Sequence, residues 1–218
     1  MKTLMKTLLN LLALGLLSAA PGFVVSTVNA QDVATNYWPF KVGNTWTLET
    51  KVGGQTTTQV ITVTKITQNG NNSDATLDYK VDDQVVQTEV YRFDSKGISR
   101  VSSGPNGMNK LTPPYQIVKY PMEADKKWAW KGKIAVKAEE YQATSEVSTS
   151  GPETLKLPSG VFKAIRVHAE LTIMSSDGGK TLIPNDYWFA PGVGLVQQKA
   201  KIGASEITGV LTSYKLAN

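Results

Sequence analysis

From Trp46 onward the chain alternates between apolar and polar side chains. Trp46, Leu48, Thr50 and Val52 fall at one parity and Thr47, Glu49 and Lys51 at the other, the period-two pattern of a strand with one face on a core. Ala75, Leu77, Tyr79 and Val81 repeat it, as do Tyr141, Ala143, Ser145 and Val147. Between Gln84 and Phe93, the parity predicts a shared face for Val85, Tyr91 and Phe93. The most regular run is Ile165, Val167, Ala169, Leu171 and Ile173, set against Arg166, His168, Glu170 and Thr172. Slipping this strand by one residue would bury charge, so its register is well specified. The segment Thr57–Thr67 is rich in threonine, valine and isoleucine, whose branched Cβ atoms favour a pleated surface.

Turn signals separate these runs. Gly53-Gly54, Asn69-Gly70, Asp82-Asp83, Pro158-Ser159-Gly160 and Ser176-Asp177-Gly178-Gly179 each stand between two alternating segments. At Pro191-Gly192 the proline presets the first corner of a turn and the glycine supplies the positive φ that a type II turn needs at its second. No stretch shows a helical stripe. Pro113, Pro114 and Pro121 prevent a long helix between Leu111 and Lys127 and predict an extended crossing segment. The expected fold is therefore all-β: a single curved antiparallel sheet of roughly ten to twelve strands, closing into a barrel or half-barrel in preference to a two-sheet sandwich.

One echo runs through this pattern. Tyr37, Pro39 and Trp46 are matched by Tyr120, Pro121 and Trp128, with the same Pro-to-Trp spacing and a tryptophan at the start of a strand each time. Internal duplication and a strand-start device used twice explain it equally well.

Composition adds a destination. Lys2 and Lys6 precede an apolar run from Leu8 to Ala20, and Val28-Asn29-Ala30 places small residues where a signal peptidase reads. Residues 1–30 are expected to be a secretory signal peptide and residues 31–218 a single antiparallel β domain, periplasmic or secreted. The apolar run is shorter than the roughly 20 residues that cross a bilayer, so no membrane span is expected after cleavage. There is no cysteine, hence no disulfide and no acceptor for lipoprotein-type lipidation. Removing the two leader lysines leaves 21 of the 23 basic side chains against 18 acidic ones. That mild excess is scattered; Lys126, Lys127, Lys131 and Lys133 interleave with Trp128 and Trp130 as strand alternation would place them, and no nucleic-acid partner is expected.

Candidate chemistry is sparse. The single histidine, His168, lies on the polar face of its strand between Arg166 and Glu170, where an ion-paired surface role is expected. One histidine and no cysteine leave no zinc-type ligand set, and Asn69–Asp74 lacks the spaced acids of a calcium loop. No G-x-S-x-G elbow occurs. No cofactor, metal or catalytic residue is assigned. Two carboxylates distant in sequence could still make a glycan hydrolase. The aromatic residues Trp38, Trp46, Trp128, Trp130, Tyr187, Trp188 and Phe189 remain, either as core packing or as the lining of a site for an apolar ligand. The leading expectation is a non-enzymatic exported protein that binds an apolar small molecule or an envelope component through its curved sheet. The alternatives are a purely structural or interaction module and the glycan hydrolase.

Three segments carry a resemblance: Tyr37–Trp46 (Tyr-Trp-Pro-Phe-Lys-Val-Gly-Asn-Thr-Trp), Leu157–Val167 (Leu-Pro-Ser-Gly-Val-Phe-Lys-Ala-Ile-Arg-Val) and Tyr187–Val196 (Tyr-Trp-Phe-Ala-Pro-Gly-Val-Gly-Leu-Val). In order and spacing the chain resembles a group of exported, uncharacterised bacterial β-rich proteins, and in expected architecture it is distantly similar to the LolA-like periplasmic half-barrels. The resemblance implies an envelope protein with a curved antiparallel sheet, and it carries over no catalytic residue. The half-barrels hold helices against the concave face of their sheet, and no segment of this chain is a candidate for them.

Overall fold

The computed structural model describes residues 37–136 and 139–217, so the expected signal peptide lies outside the described residues. Twelve antiparallel strands succeed one another: β1 (Thr45–Val52), β2 (Gln55–Asn69), β3 (Asn72–Val81), β4 (Gln84–Asp94), β5 (Gly97–Ser103), β6 (Asn109–Lys119), β7 (Lys127–Val136), β8 (Glu139–Leu157), β9 (Gly160–Met174), β10 (Lys180–Ala190), β11 (Gly194–Ile202) and β12 (Ser205–Lys215). Each pairs with its neighbour in sequence and β12 returns to β1, closing the sheet into a barrel. Of the two shapes expected, the structure is the closed one. Its interior is largely filled by side chains, and the only helical turn among the described residues is a short 3-10 segment at Pro105–Gly107.

Alternation decides which side is apolar. On β9, Ile165, Val167, Ala169 and Ile173 are buried while Arg166, His168 and Glu170 face outward, as the sequence predicts. On β7, Trp130, Ile134 and Val136 are buried, and Lys127, Lys131 and Lys133 are exposed at the opposite parity. Charged groups outside and apolar groups inside is the reverse of a lipid-spanning barrel, which turns its apolar band outward. No helix among the described residues is long and apolar enough to cross a membrane.

Val85 departs from expectation. It is 46% exposed, and the face it was predicted to share with Tyr91 belongs instead to Gln87 and Glu89. The β3/β4 register shifts between Tyr79 and Lys80, and β4 meets that shift between Val85 and Gln87. One extra residue on one strand reverses the facing of the residues beyond it.

The β6/β7 seam is the thinnest part of the wall. Backbone pairing is confined to Leu111 with Ile134 and Thr112 with Lys133. Beyond it stand Pro113 and Pro114, which have no N–H to give. Two indoles replace the missing ladder: Trp130 Nε1 donates to the Pro113 carbonyl and Trp128 Nε1 to the Gln116 carbonyl, each at 3.0 Å. Gly132 makes the close approach possible, because a Cβ there would lie 2.5 Å from both the Thr112 oxygen and the Trp130 ring.

Candidate functional site

One end of the barrel is plugged by the segment that precedes β1. Trp38 enters the interior, with its ring 4.9 Å from Tyr91 and 5.5 Å from Phe189 between centroids. Phe40 packs on Phe93 at 5.2 Å. Beside the plug lies an open recess of about 550 Å³ whose walls come from both echoed segments, Tyr37, Trp38 and Phe40 on one side and Tyr120, Pro121 and Met122 on the other. The two copies of the sequence echo thus meet at the same end, and Trp46 and Trp128 occupy the same place, second residue, in β1 and β7.

Above the plug the barrel encloses a cavity of about 140 Å³. Its walls differ in character. The strands β7 and β9 to β12 line it chiefly with Ile134, Leu171, Ile173, Leu195, Ile202 and Ile207. The strands β2 to β5 contribute Gln59, Tyr79, Gln87, Glu89, Tyr91 and Arg100. An ion pair sits in that second wall. Glu89, 3% exposed, accepts from Gln87 Nε2 at 2.7 Å on one oxygen and from the Tyr79 hydroxyl at 2.7 Å on the other. The Tyr91 hydroxyl also donates to Glu89, and Arg100 Nη2 lies 3.5 Å from the same oxygen. Arg100 gives Nε and Nη2 to the Tyr91 hydroxyl at 3.3 and 3.0 Å. Gln87, Tyr79 and Tyr91 thus all donate to the carboxylate, and Arg100 braces it through the Tyr91 hydroxyl.

This cluster sets the ionisation of its neighbours. Burial pushes the Tyr79 and Tyr91 phenols well above their ordinary value, and the Glu89 charge adds to this while Arg100 works against it. Burial raises Tyr187 as well, offset in part by the Arg100 charge and a hydrogen bond from it. Tyr115, which shares a 3.0 Å hydrogen bond with Ser145, is pushed up to about 12 by burial. Burial alone would weaken the Arg100 guanidinium; the Glu89 carboxylate and, beside it, Tyr91, Tyr187 and Tyr79 together more than reverse that and hold it as a cation.

Of the aromatic residues singled out in the sequence, Trp38, Tyr187 and Phe189 line the cavity. The others are spread around the wall. Trp46 is buried and donates Nε1 to the Val193 carbonyl at 2.6 Å, tying β1 to the turn after β10. That turn has the expected form, with Gly192 at φ +71° and Val193 N–H bonded to the Ala190 carbonyl at 3.1 Å. Trp128 and Trp130 staple the β6/β7 seam. Trp188 points away from the interior: its Nε1 donates to Glu153 at 3.0 Å, and Arg166 stands 5.5 Å from its ring.

Glu89, Arg100, Gln59 and Asn109 were not anticipated as site residues. Glu89 had a readable signal, since it shares parity with Tyr91 on β4 and so places a charge on a core-facing position. Outside the barrel, His168 has the expected surface role, with Nδ1 2.8 Å from Asp186 and Nε2 3.7 Å from Glu170.

No protein-family profile and no curated protein matches this sequence. Solved structures do superpose on this one. A candidate lipoprotein from Parabacteroides distasonis superposes with a TM-score of 0.50 at 14% identity, over 83% of this chain and 99% of that one. A candidate exported protein with a YmcC-like fold from Bacteroides fragilis gives 0.44 at 15% identity, over 82% and 98%. The hypothetical lipoprotein YmcC from Escherichia coli gives 0.42 at 12% identity, over 80% and 85%.

Proposed function

We propose that this is an exported, non-enzymatic envelope protein that holds a small apolar molecule inside its barrel. The observation that carries the reading is the cavity of about 140 Å³ walled on one side by leucine, isoleucine and valine. A dry cavity of about 150 Å³ with such a lining binds benzene-sized molecules. Export rests on the leader-like pattern of residues 1–30, and the Parabacteroides neighbour, itself a candidate lipoprotein, accords with it. Trp38, Tyr187 and Phe189 are the aromatic residues placed to touch such a ligand; Trp46, Trp128, Trp130 and Trp188 serve the wall. A glycan hydrolase needs two carboxylates flanking the scissile bond. Glu89 is the one carboxylate in the cavity lining, and its oxygens are occupied by Gln87, Tyr79 and Tyr91.

The test is extraction of the protein purified from its native host, then mass spectrometry, together with N-terminal sequencing of the exported form. A bound apolar molecule and a terminus at Gln31 are expected. Repeated extraction without any such molecule, with no uptake of added ethylbenzene, would overturn the ligand reading. A second reading, an interaction module for an envelope partner, is favoured by the aromatic recess at the plugged end. Capture of an envelope protein that is lost on Tyr120→Ala would select it.

A further inference from the structure

The polar wall has more hydrogen-bonding capacity than the protein uses. Gln59 and Asn109 are buried to 7% and 4% exposure and line the cavity, yet their side-chain amides make no hydrogen bond among the described residues. Amides on a cavity wall are ordinarily satisfied by protein, water or ligand. Arg100 brings five N–H groups. Two go to the Tyr91 hydroxyl, and Nη2 also stands 3.5 Å from Glu89, so the guanidinium has N–H groups beyond these partners on the wall. Glu89 is the opposite case: its two oxygens are taken by Gln87, Tyr79 and Tyr91, and its part is to fix Arg100 and Tyr91 in place.

Charge narrows the ligand further. Glu89 and Arg100 balance each other. Lys199 also touches the lining, but its ammonium is turned to the Trp188 ring at 5.8 Å. A carboxylate or ammonium brought into this cavity would therefore be a third charge without a counter-charge, with its desolvation uncompensated. A neutral oxygen meets no such penalty and would accept from a guanidinium that is already paired and oriented.

We propose that the barrel binds a small uncharged amphipathic molecule: a body of about ring size against the isoleucine and leucine wall of β9 to β12, bearing a carbonyl or hydroxyl oxygen that accepts from Arg100. The inference rests on the apolar-ligand reading and adds the head group to it.

Three probes of matched size separate the two. Acetophenone has a neutral acceptor, ethylbenzene has none and benzoate is an anion; binding of each to the purified protein is measured by calorimetry and ligand-observed NMR. Acetophenone should bind at least about tenfold tighter than ethylbenzene, the gain of a hydrogen bond to a charged donor, and benzoate should bind most weakly. The variant Glu89→Gln/Arg100→Met removes both charges together and should erase the preference for acetophenone while ethylbenzene stays within about twofold. Should that variant fail to fold, Arg100→Lys carries the test, because it keeps the charge beside Glu89 but loses the planar fork; acetophenone should again lose most of its advantage. Ethylbenzene binding as tightly as acetophenone, benzoate binding tightest, or a preference that survives the Arg100 substitution would each overturn the head-group inference and leave the apolar reading standing. No binding of any probe would end both.

Discussion

Two ion clusters of nearly the same composition sit on opposite faces of one barrel wall. Inside, Glu89 on β4 faces Arg100 on β5, with side chains 4% and 20% exposed. Outside, Asp186 on β10 faces Arg166 on β9 at 2.8 Å, with side chains 20% and 36% exposed and His168 bonded to the same carboxylate. The outer pair has the shorter contact, yet the inner one should matter far more. Water competes for the outer charges, so such a pair contributes about 0–1 kcal/mol. The inner charges have left water behind, and the main effect of their pairing is to prevent the loss that would ensue if one stood alone.

Substitution and pH separate the two clusters. Arg100→Met strands the Glu89 carboxylate in the interior and should cost about 3–5 kcal/mol in urea unfolding; a loss under about 1 kcal/mol would mean that the inner pair behaves like a surface pair. Alkaline pH attacks the same cluster. The folded pKa values of Tyr79, Tyr91 and Tyr187 lie above the unfolded value of 10.0, so the folded protein keeps protons that the unfolded chain releases. The stability they contribute is whole below pH 10 and lost progressively as pH rises through and beyond it. Phenolate absorbance should accordingly rise at pH 10 for the unfolded chain, but later and together with unfolding for the native one; simple titration of every tyrosine near pH 10 without unfolding would refute the burial of these phenols. Glu89→Gln/Arg100→Met should come within about 1 kcal/mol of the parent, since removing both charges leaves neither stranded. Asp186→Asn on the outer face should cost at most about 1 kcal/mol, and the difference should shrink in 1 M salt, where the screening length falls to about 3 Å.

The same residues show what a linear sequence conveys. The inward set of β9 was legible because strict alternation with charge on the other face admits one register. The fate of β4 was only half legible. Gln87 and Glu89 share parity with Tyr91, but an extra residue on β4 between Val85 and Gln87 turns Val85 outward, and a bulge is defined only against a partner strand that the local pattern does not contain. Trp128 and Trp130 were readable as inward-facing aromatics. That their indole N–H groups replace a ladder was not, because it depends on where Pro113 and Gln116 lie across a seam. The cavity was beyond reach for a related reason, as alternation sets which side chains point inward but not whether their volumes fill the space.

Closure between β1 and β12 bears on how the chain comes to be folded. Thr45 is partnered with Lys215, and the Ala217 amide donates to Asn44 Oδ1 at 2.7 Å, so the barrel is sealed by contacts between the far ends of the described chain. A chain emerging amino end first has β1 early and its second neighbour last. Until Ser205–Lys215 arrives, β1 and β11 are both bare edges, open to pairing with another copy, and the interior cavity has no complete wall. Such non-local closure is also slow. A chain truncated before β12 should therefore be prone to self-association, through the very backbone groups that the last strand exists to cover.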